Sequence, residues 1–184
     1  MDEAQAKDFG KRMNTDHEEL FNLVNLWASH FGYNDGHIDL TVGGDLTSFS
    51  TVDCALTAHA PLWRTKPGKE KGVPITEVRK TLAKGLKLMK INRHDMHMAL
   101  HPTSNALCLH FVVKARLKIL PINFMTVPVA FVVTTANTQE GLRIDAVHEW
   151  SAKTPEDARK ILVEQCGWPT SVTFKPFLAF GAAS

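Results

Sequence analysis

The feature that most constrains the fold is a run of segments in which apolar and polar residues alternate. Alternation with a period of two residues is typical of strands with one buried face. The residues between the segments, such as His101–Asn105 and Ala136–Gly141, are typical of turns. The sequence therefore predicts a meander of long antiparallel strands. The predicted strands are Ile91–Leu100, Ala106–Leu120, Ile122–Thr135 and Leu142–Trp150.

Three helices are predicted around this meander. Thr15 and Glu18 form a capping box, and an apolar stripe at helical spacing follows up to Phe31, with Gly32 at the end. Pro74 can begin a second helix, whose apolar stripe extends from Ile75 to Met89. Thr154 and Pro155 begin a third helix. A weaker alternation over 55–63 predicts one more strand, ended or placed at an edge by Pro61, so the fold class is α+β.

Composition and charge indicate one soluble globular domain. The chain has 184 residues, of which 44% are hydrophobic and 22% charged. Its net charge of +2 does not favour a nucleic-acid binder. The basic cluster at 64–71 is interpreted as a solvated loop, with a phosphate-binding patch as the alternative. No stretch approaches 18 apolar residues and no signal peptide is visible, so we expect a cytoplasmic protein without a membrane partner.

The chain divides into three parts in this interpretation. Residues 1–14 are a flexible leader, residues 15–153 form the α+β domain, and residues 154–184 form a helix followed by an apolar tail. That tail carries Phe174, Phe177 and Phe180. Because it is too apolar to remain in solvent, we expect it to pack on the domain or on a second chain.

The histidine content is the one feature of the composition that points to a possible catalytic chemistry. There are nine histidines and one tyrosine, and histidine titrates near neutral pH. Cys54, Cys108 and Cys166 have neither disulfide nor zinc-site spacing, and buried apolar thiols are the simplest interpretation. His94 and His97 point to opposite faces of a regular strand, and no third ligand is marked. We therefore expect no metal.

The order of the elements resembles that of the nuclear transport factor 2-like superfamily, which includes SnoaL-like proteins, scytalone dehydratase and ketosteroid isomerase. The resemblance runs from about residue 15 to residue 151. It rests on Leu26-Trp27-Ala28 in the first helix, Ala58-His59-Ala60 before the Gly72-containing helix start, and the closing strand Leu142–Trp150. It implies N-terminal helices packed on a strongly curved antiparallel sheet, a cone with an apolar pocket. It also implies chemistry without a metal or organic cofactor, and a homodimer formed through the outer face of the sheet.

Four residues are candidates for general acid–base catalysis. His94 and His110 lie on adjacent predicted strands and resemble two histidines of scytalone dehydratase. His59 stands at about the place of a tyrosine in that enzyme, and Tyr33 follows the first helix. Scytalone dehydratase carries a tyrosine–aspartate pair where this chain has Phe31 and Gly32, which leaves that particular dehydration open. The structural alternative for each histidine is a surface or hydrogen-bonded core residue.

The predicted ligand contacts are mainly aromatic residues and methionines, which are equally typical of a core: Trp27, Phe31, Trp63, Met96, Met98, Phe124, His148 and Trp150. By strand alternation, Asp95 shares a face with Arg93 and His97, and Asp145 shares one with Arg143 and Glu149. Both faces are interpreted as solvated.

The expected function is that of a cofactor-free dehydratase, isomerase or cyclase. Its substrate would be a hydrophobic polyketide- or terpenoid-like metabolite, and its mechanism general acid–base chemistry. The alternative is a non-catalytic module of the same fold, for small-ligand binding or dimerisation.

Overall fold

A computed structural model describes residues 18–28, 30–34, 37–38, 45–59, 72–120 and 122–176. Side chains are described for the same residues except 33–34, 37–38 and 175–176. The three helices are α1 (residues 18–31, with 29 outside the description), α2 (Ile75–Gly85) and α3 (Pro155–Glu164). The long strands are β3 (Ser50–Ala58), β5 (Met89–Leu100), β6 (Ala106–Leu117), β7 (Asn123–Thr138) and β8 (Gly141–Ser151). Two-residue strands are β1 (Tyr33–Asn34), β2 (His37–Ile38), β4 (Val73–Pro74) and β9 (Lys175–Pro176).

The strands form one open sheet in the order β1-β2-β5-β6-β7-β8-β3-β4, with β9 paired to β5. The antiparallel meander β5 to β8 confirms the prediction from alternation. The sheet as a whole is mixed rather than antiparallel, because β3 runs parallel to β8. The predicted α+β class, with helices packed on a curved sheet, is confirmed.

Each face of the sheet is covered by a different helix. We call the face that packs against α1 the inner face. Its core joins residues of α1, including Leu20, Val24 and Phe31, to the strand residues Leu107 and Val133. The opposite, outer face packs against α3 and the segment that follows it, through Ala158, Leu162, Trp168, Val172 and Phe174. The described part of the C-terminal region therefore packs on the domain of its own chain.

Bulges bend the long strands. The pairing register shifts between His94 and His97 in β5, between Thr134 and Thr135 in β7, and between Ser50 and Ala55 in β3. An extra residue on one strand of a pair bends that strand and increases its twist. Each bulge also reverses the alternation beyond it, so residues of one parity change faces along a strand.

Several element boundaries differ from the predicted ones. Helix α2 ends at Gly85, and Met89, predicted as the last residue of its stripe, begins β5. Strand β3 spans 50–58 rather than 55–63, and Pro61 lies outside the described residues. Pro128 was expected at a bulge or an edge. The pairing of β7 with β8 begins at Val129, and the carbonyl of Pro128 accepts a 2.8 Å hydrogen bond from the backbone N–H of Ala152, so the proline lies at the end of this strand pair and not at a free edge.

The predicted N-terminus of α3 is confirmed. Thr154 is the N-cap, and its hydroxyl accepts a hydrogen bond of 3.1 Å from the backbone N–H of Asp157. The capping box proposed for the first helix and the leader 1–14 lie outside the described residues.

Candidate functional site

Two ionisable side chains and two phenylalanines form a continuous line across the inner face. The guanidinium carbon of Arg93 lies 5.8 Å from the ring centre of Phe111. The rings of Phe111 and Phe131 are stacked, with centres 5.3 Å apart. Phe131 is directly paired with Glu149 on the neighbouring strand. The line therefore combines an apolar surface with a cation at one end and a carboxyl group at the other.

Glu149 is buried, with 8% of its surface exposed. It lies on the inner face together with Val147, which is fully buried in the core under α1. The prediction that Glu149 shares a solvated face with Arg143 and Asp145 is wrong. The alternation reverses because the register with β7 shifts between the pairs of Ile144 and Ala146. In the sequence, Glu149 is a single carboxylate two residues after a core valine. Because the bulge cannot be recognised from the sequence, this spacing did not indicate that Glu149 is buried.

Arg93 also lies on the inner face, and a bulge separates it from the later residues of its own parity. It is half-buried, and its Nη1 lies 3.9 Å from the sulfur of Met96. Asp95 sits inside the β5 bulge with a φ of 53°, in the left-handed region. The prediction that Arg93, Asp95 and His97 share one face is therefore wrong, and so is the prediction that His94 and His97 point to opposite faces. His94 pairs with Val112 and His97 with His110, so both lie on the outer face.

The predicted ligand contacts lie in different parts of the structure, and His148 and Trp150 are on the outer face. Met96 and Met98 lie on the inner face beside the line from Arg93 to Glu149. Trp27 and Phe31 lie in the core under α1, where the indole N–H donates a 3.1 Å hydrogen bond to the hydroxyl of Ser50. Phe124 is 54% exposed near the end of the β6–β7 hairpin. Trp63 lies outside the described residues, and Tyr33 is described only as part of β1.

Four histidines and a tryptophan form a row across the outer face. His59 Nε2 and His148 Nδ1 are 3.0 Å apart, and the rings of His59 and Trp150 are stacked with centres 4.5 Å apart. On the other side of Ala130, His97 and His110 are stacked at 5.0 Å. The edge contact of His110 with Phe174 at 4.9 Å is part of the C-terminal cover. The structure thus brings His59 to His148 and His110 to His97, while His94 is exposed.

Burial lowers the pKa of His110 from 6.5 to about 4, with smaller contributions from His97 and Arg159. Burial, followed by His59, also lowers the pKa of His148. Both imidazoles are therefore neutral at pH 7. Their position on the outer face, partly under α3 and the segment after it, separates them from the line from Arg93 to Glu149.

The folded pKa of His110 predicts a pH dependence of stability. Below about 6.5 the unfolded chain binds a proton that folded His110 accepts only near pH 4, so stability is lost as pH falls through this window. Between about pH 7 and pH 5, we expect the unfolding free energy of the wild type to fall by about 1–2 kcal/mol more than that of His110→Gln. Urea denaturation at both pH values measures this difference, and parallel pH profiles of the two proteins would contradict it.

An open groove of about 580 Å³ lies between the start of α1 and the β7–β8 turn. Its charged lining is mainly acidic, with Glu18, Glu19 and Glu140 against Arg143, which forms a 3.4 Å ion pair with Glu140. None of the catalytic candidates whose side chains are described, His59, His94 and His110, lines it. The acids that line the groove are exposed, whereas Glu149 on the inner face is buried, so we take the inner face as the candidate site.

The three cysteines are free. Burial raises the pKa of the thiols of Cys54 and Cys166 to about 11 and that of Cys108 to about 12. Protonated thiols are poor nucleophiles at neutral pH, so the geometry does not support covalent cysteine chemistry. Within the described residues, no group of three His, Cys, Asp or Glu side chains is arranged to hold a metal ion.

Comparisons with known proteins bear on the fold alone. No protein-family model and no curated protein sequence matches the chain. Similar solved structures include the BvnE pinacolase from Penicillium brevicompactum, at 15% identity and a TM-score of 0.44, covering 83% of this chain and 94% of that one. Kfla4162 from Kribbella flavida has 14% identity and a TM-score of 0.45, and the match covers 79% of this chain and 98% of that one. Candida albicans Mtr2 has 14% identity and a TM-score of 0.37, and the match covers 78% of this chain and 99% of that one.

The predicted α+β class is observed, although the sheet is mixed. Helices α1 and α3 cover opposite faces of an open, bent sheet, and the first long strand returns parallel to the last one. The described residues therefore form an α+β architecture in which helices pack on an open, curved sheet. This architecture accommodates enzymes and non-catalytic modules alike, so function has to be argued from the site.

Proposed function

We propose that the chain is a small-molecule enzyme that binds a hydrophobic substrate on the inner face and converts it by general acid–base chemistry. The observation that carries the proposal is the line of Arg93, Phe111, Phe131 and Glu149. A mostly apolar surface with a few charged groups is the usual composition of a small-molecule site. Phe131 and Met98 pack against the core that α1 covers but are only half-buried, so the accessible part of each side chain can contact a ligand.

Each residue has a chemical role in this proposal. Glu149 transfers a proton to or from the reacting carbon or oxygen, as a carboxyl group on an apolar face can do. Arg93 holds a polar group of the substrate or stabilises negative charge that develops on it. Phe111, Phe131 and Met98 bind its apolar part. Dehydration, isomerisation or cyclisation of a polyketide- or terpenoid-like metabolite needs no more than these groups, so the proposed reaction uses no cofactor.

The outer-face histidines supply a second candidate acid–base site. The 3.0 Å contact between His59 and His148 supports it, because one imidazole can orient the other and tune its basicity. His94 and His110, the first candidates from sequence, share this face without contacting the pair. A substrate that binds here would have to fit beside α3 and the segment that covers Ala130 and Val132.

The main rival function is non-catalytic ligand binding or dimerisation. Its support is the dense packing of α1 on the inner face, which leaves less room for a substrate than an open cone would. A homodimer through the remaining outer face is compatible with both functions and stays a prediction. The two functions differ in one respect: only an enzyme requires the carboxyl group of Glu149 for turnover.

Binding of 1-anilinonaphthalene-8-sulfonate tests the inner-face site. This probe combines apolar rings with one anionic group, so Arg93→Gln removes the partner of the sulfonate. A hydrogen bond between charged groups contributes about 1.5–3 kcal/mol, and we expect at least tenfold weaker binding in a fluorescence titration.

Arg159→Gln, the same change at an exposed position of α3 on the outer face, is the matched control and should leave the affinity within about twofold of the wild type. Equal affinities for wild type and Arg93→Gln would place the probe elsewhere and count against the inner-face site.

A further inference from the structure

Five large apolar side chains are exposed close together at one end of the molecule. They lie at the end of the β6–β7 hairpin and at the turn between α2 and β5. The two segments are joined by a 2.9 Å hydrogen bond from the backbone N–H of Lys118 to the carbonyl of Leu88. We call these residues the apolar tip: Leu88 (71% exposed), Ile119 (86%), Leu120 (49%), Ile122 (67%) and Phe124 (54%).

The apolar tip is surrounded by positive charge. Lys90 is paired with Arg116 across β5 and β6, and Lys114 is paired with Asn92 one step further along the sheet. Lys84, Lys87 and Lys118 lie on the two turns and the end of α2. From residue 78 to residue 139 the sequence has nine lysines and arginines and a single acid, Asp95. The rest of the chain has 12 basic and 18 acidic residues, so this end is strongly polarised.

The shape of the tip favours a lipid surface over a protein partner. The exposed apolar residues follow the last strand pair of a hairpin, Arg116 with Asn123, and so lie at its end rather than along a groove. A hairpin end can insert between lipid headgroups while the flanking lysines remain at headgroup level. A second copy of the chain placed tip to tip would bring these positive charges together, which opposes self-association there.

We propose that this end of the molecule docks peripherally on an anionic membrane surface, with the apolar tip inserted and the surrounding lysines and arginines on the lipid headgroups. Among the described residues, no helix is long and apolar enough to cross a membrane, and surface docking needs none. The expectation of no membrane partner rested on spanning segments alone, and the proposal departs from it. It does not depend on the inner-face enzyme site, which lies elsewhere in the fold.

Flotation with lipid vesicles tests the proposal on the full chain. We expect wild type to float with vesicles of phosphatidylcholine mixed with phosphatidylserine and to stay in solution with phosphatidylcholine alone. Raising the salt from about 0.1 M to about 1 M shortens the screening length from about 10 Å to about 3 Å and should release the protein. Two variants separate the contributions: Ile119→Ser with Ile122→Ser, and Lys114→Gln with Lys118→Gln. Each should weaken binding at least tenfold.

Val52→Ser and Lys160→Gln are the matched controls, since Val52 is fully exposed on β3 and Lys160 is exposed on α3. Both should float like the wild type. No flotation of wild type with the anionic vesicles at low salt would overturn the proposal. Loss of flotation in the lysine variant alone would also overturn it, because simple attraction to a polyanion needs no inserted residues. Wild-type dimers that the isoleucine variant disrupts, without vesicle binding, would assign the tip to a second copy instead.

Discussion

Replacement of Phe31 by alanine is expected to lower the free energy of unfolding by about 3–5 kcal/mol. Phe31 is 2% exposed in the last turn of α1, and its ring centre lies 5.4 Å from that of Trp27. Removing the ring leaves a cavity where the helix meets Leu107 and Val133, and the surrounding side chains can collapse only partly. Urea denaturation of wild type and variant measures the difference.

Leu26→Ala is the matched control, because Leu26 belongs to the same helix and is 50% exposed. It should change stability by less than about 1 kcal/mol. If Phe31→Ala cost no more than this control, the ring would not be part of the core. Phe31 would then be available as the ligand contact that the sequence suggested.

Replacement of Glu149 by glutamine is expected to abolish base catalysis on the inner face. The probe is 5-nitrobenzisoxazole, whose ring opens when a base removes the proton from C3, the N–O bond breaks and a cyanophenolate is released. A carboxylate on an apolar surface accelerates this reaction, and a positioned base contributes about 10²- to 10⁴-fold. We expect wild type to catalyse phenolate release and Glu149→Gln to lose at least a hundredfold of that rate, measured by absorbance.

Glu156→Gln is the same substitution at an exposed position in α3 and should retain the wild-type rate. His148→Gln and His94→Ala test the outer face in the same assay. Loss of the reaction in His148→Gln together with full activity in Glu149→Gln would move the proposed site to the His59–His148 pair. Absence of catalysis by the wild type would favour the non-catalytic alternative.

Regular periodicity predicted most of the fold. The apolar stripe of α1, with Leu20, Val24, Trp27 and Phe31, identified both the helix and the face it buries. Alternation identified the four strands of the meander because one face of each is covered by helices, so apolar and polar residues must alternate. The parallel return of β3 beside β8 was not predicted, since no local pattern distinguishes a parallel neighbour from an antiparallel one.

The proposed site could not be predicted because it depends on bulges. One extra residue near Asp95 puts Arg93 and His97 on opposite faces, and one register shift beyond Ile144 turns Glu149 inward. A strand with a bulge has the same composition as a regular strand, so alternation assigned both ionisable residues to solvent. The search by residue type concentrated on histidine. It therefore identified the ionisable histidines of the outer face and missed the carboxyl group of Glu149 on the inner face.

Methionine methyl NMR can detect directly whether a small molecule binds on the inner face. Met96 and Met98 lie beside the proposed site, and aromatic rings shift the signals of methyl groups they contact. With saturating 1-anilinonaphthalene-8-sulfonate, we expect the methyl signals of Met96 and Met98 to move, each assigned by its Met→Leu variant, while the ring signals of His148 stay in place. Movement of the His148 signals with unchanged Met96 and Met98 would contradict binding on the inner face.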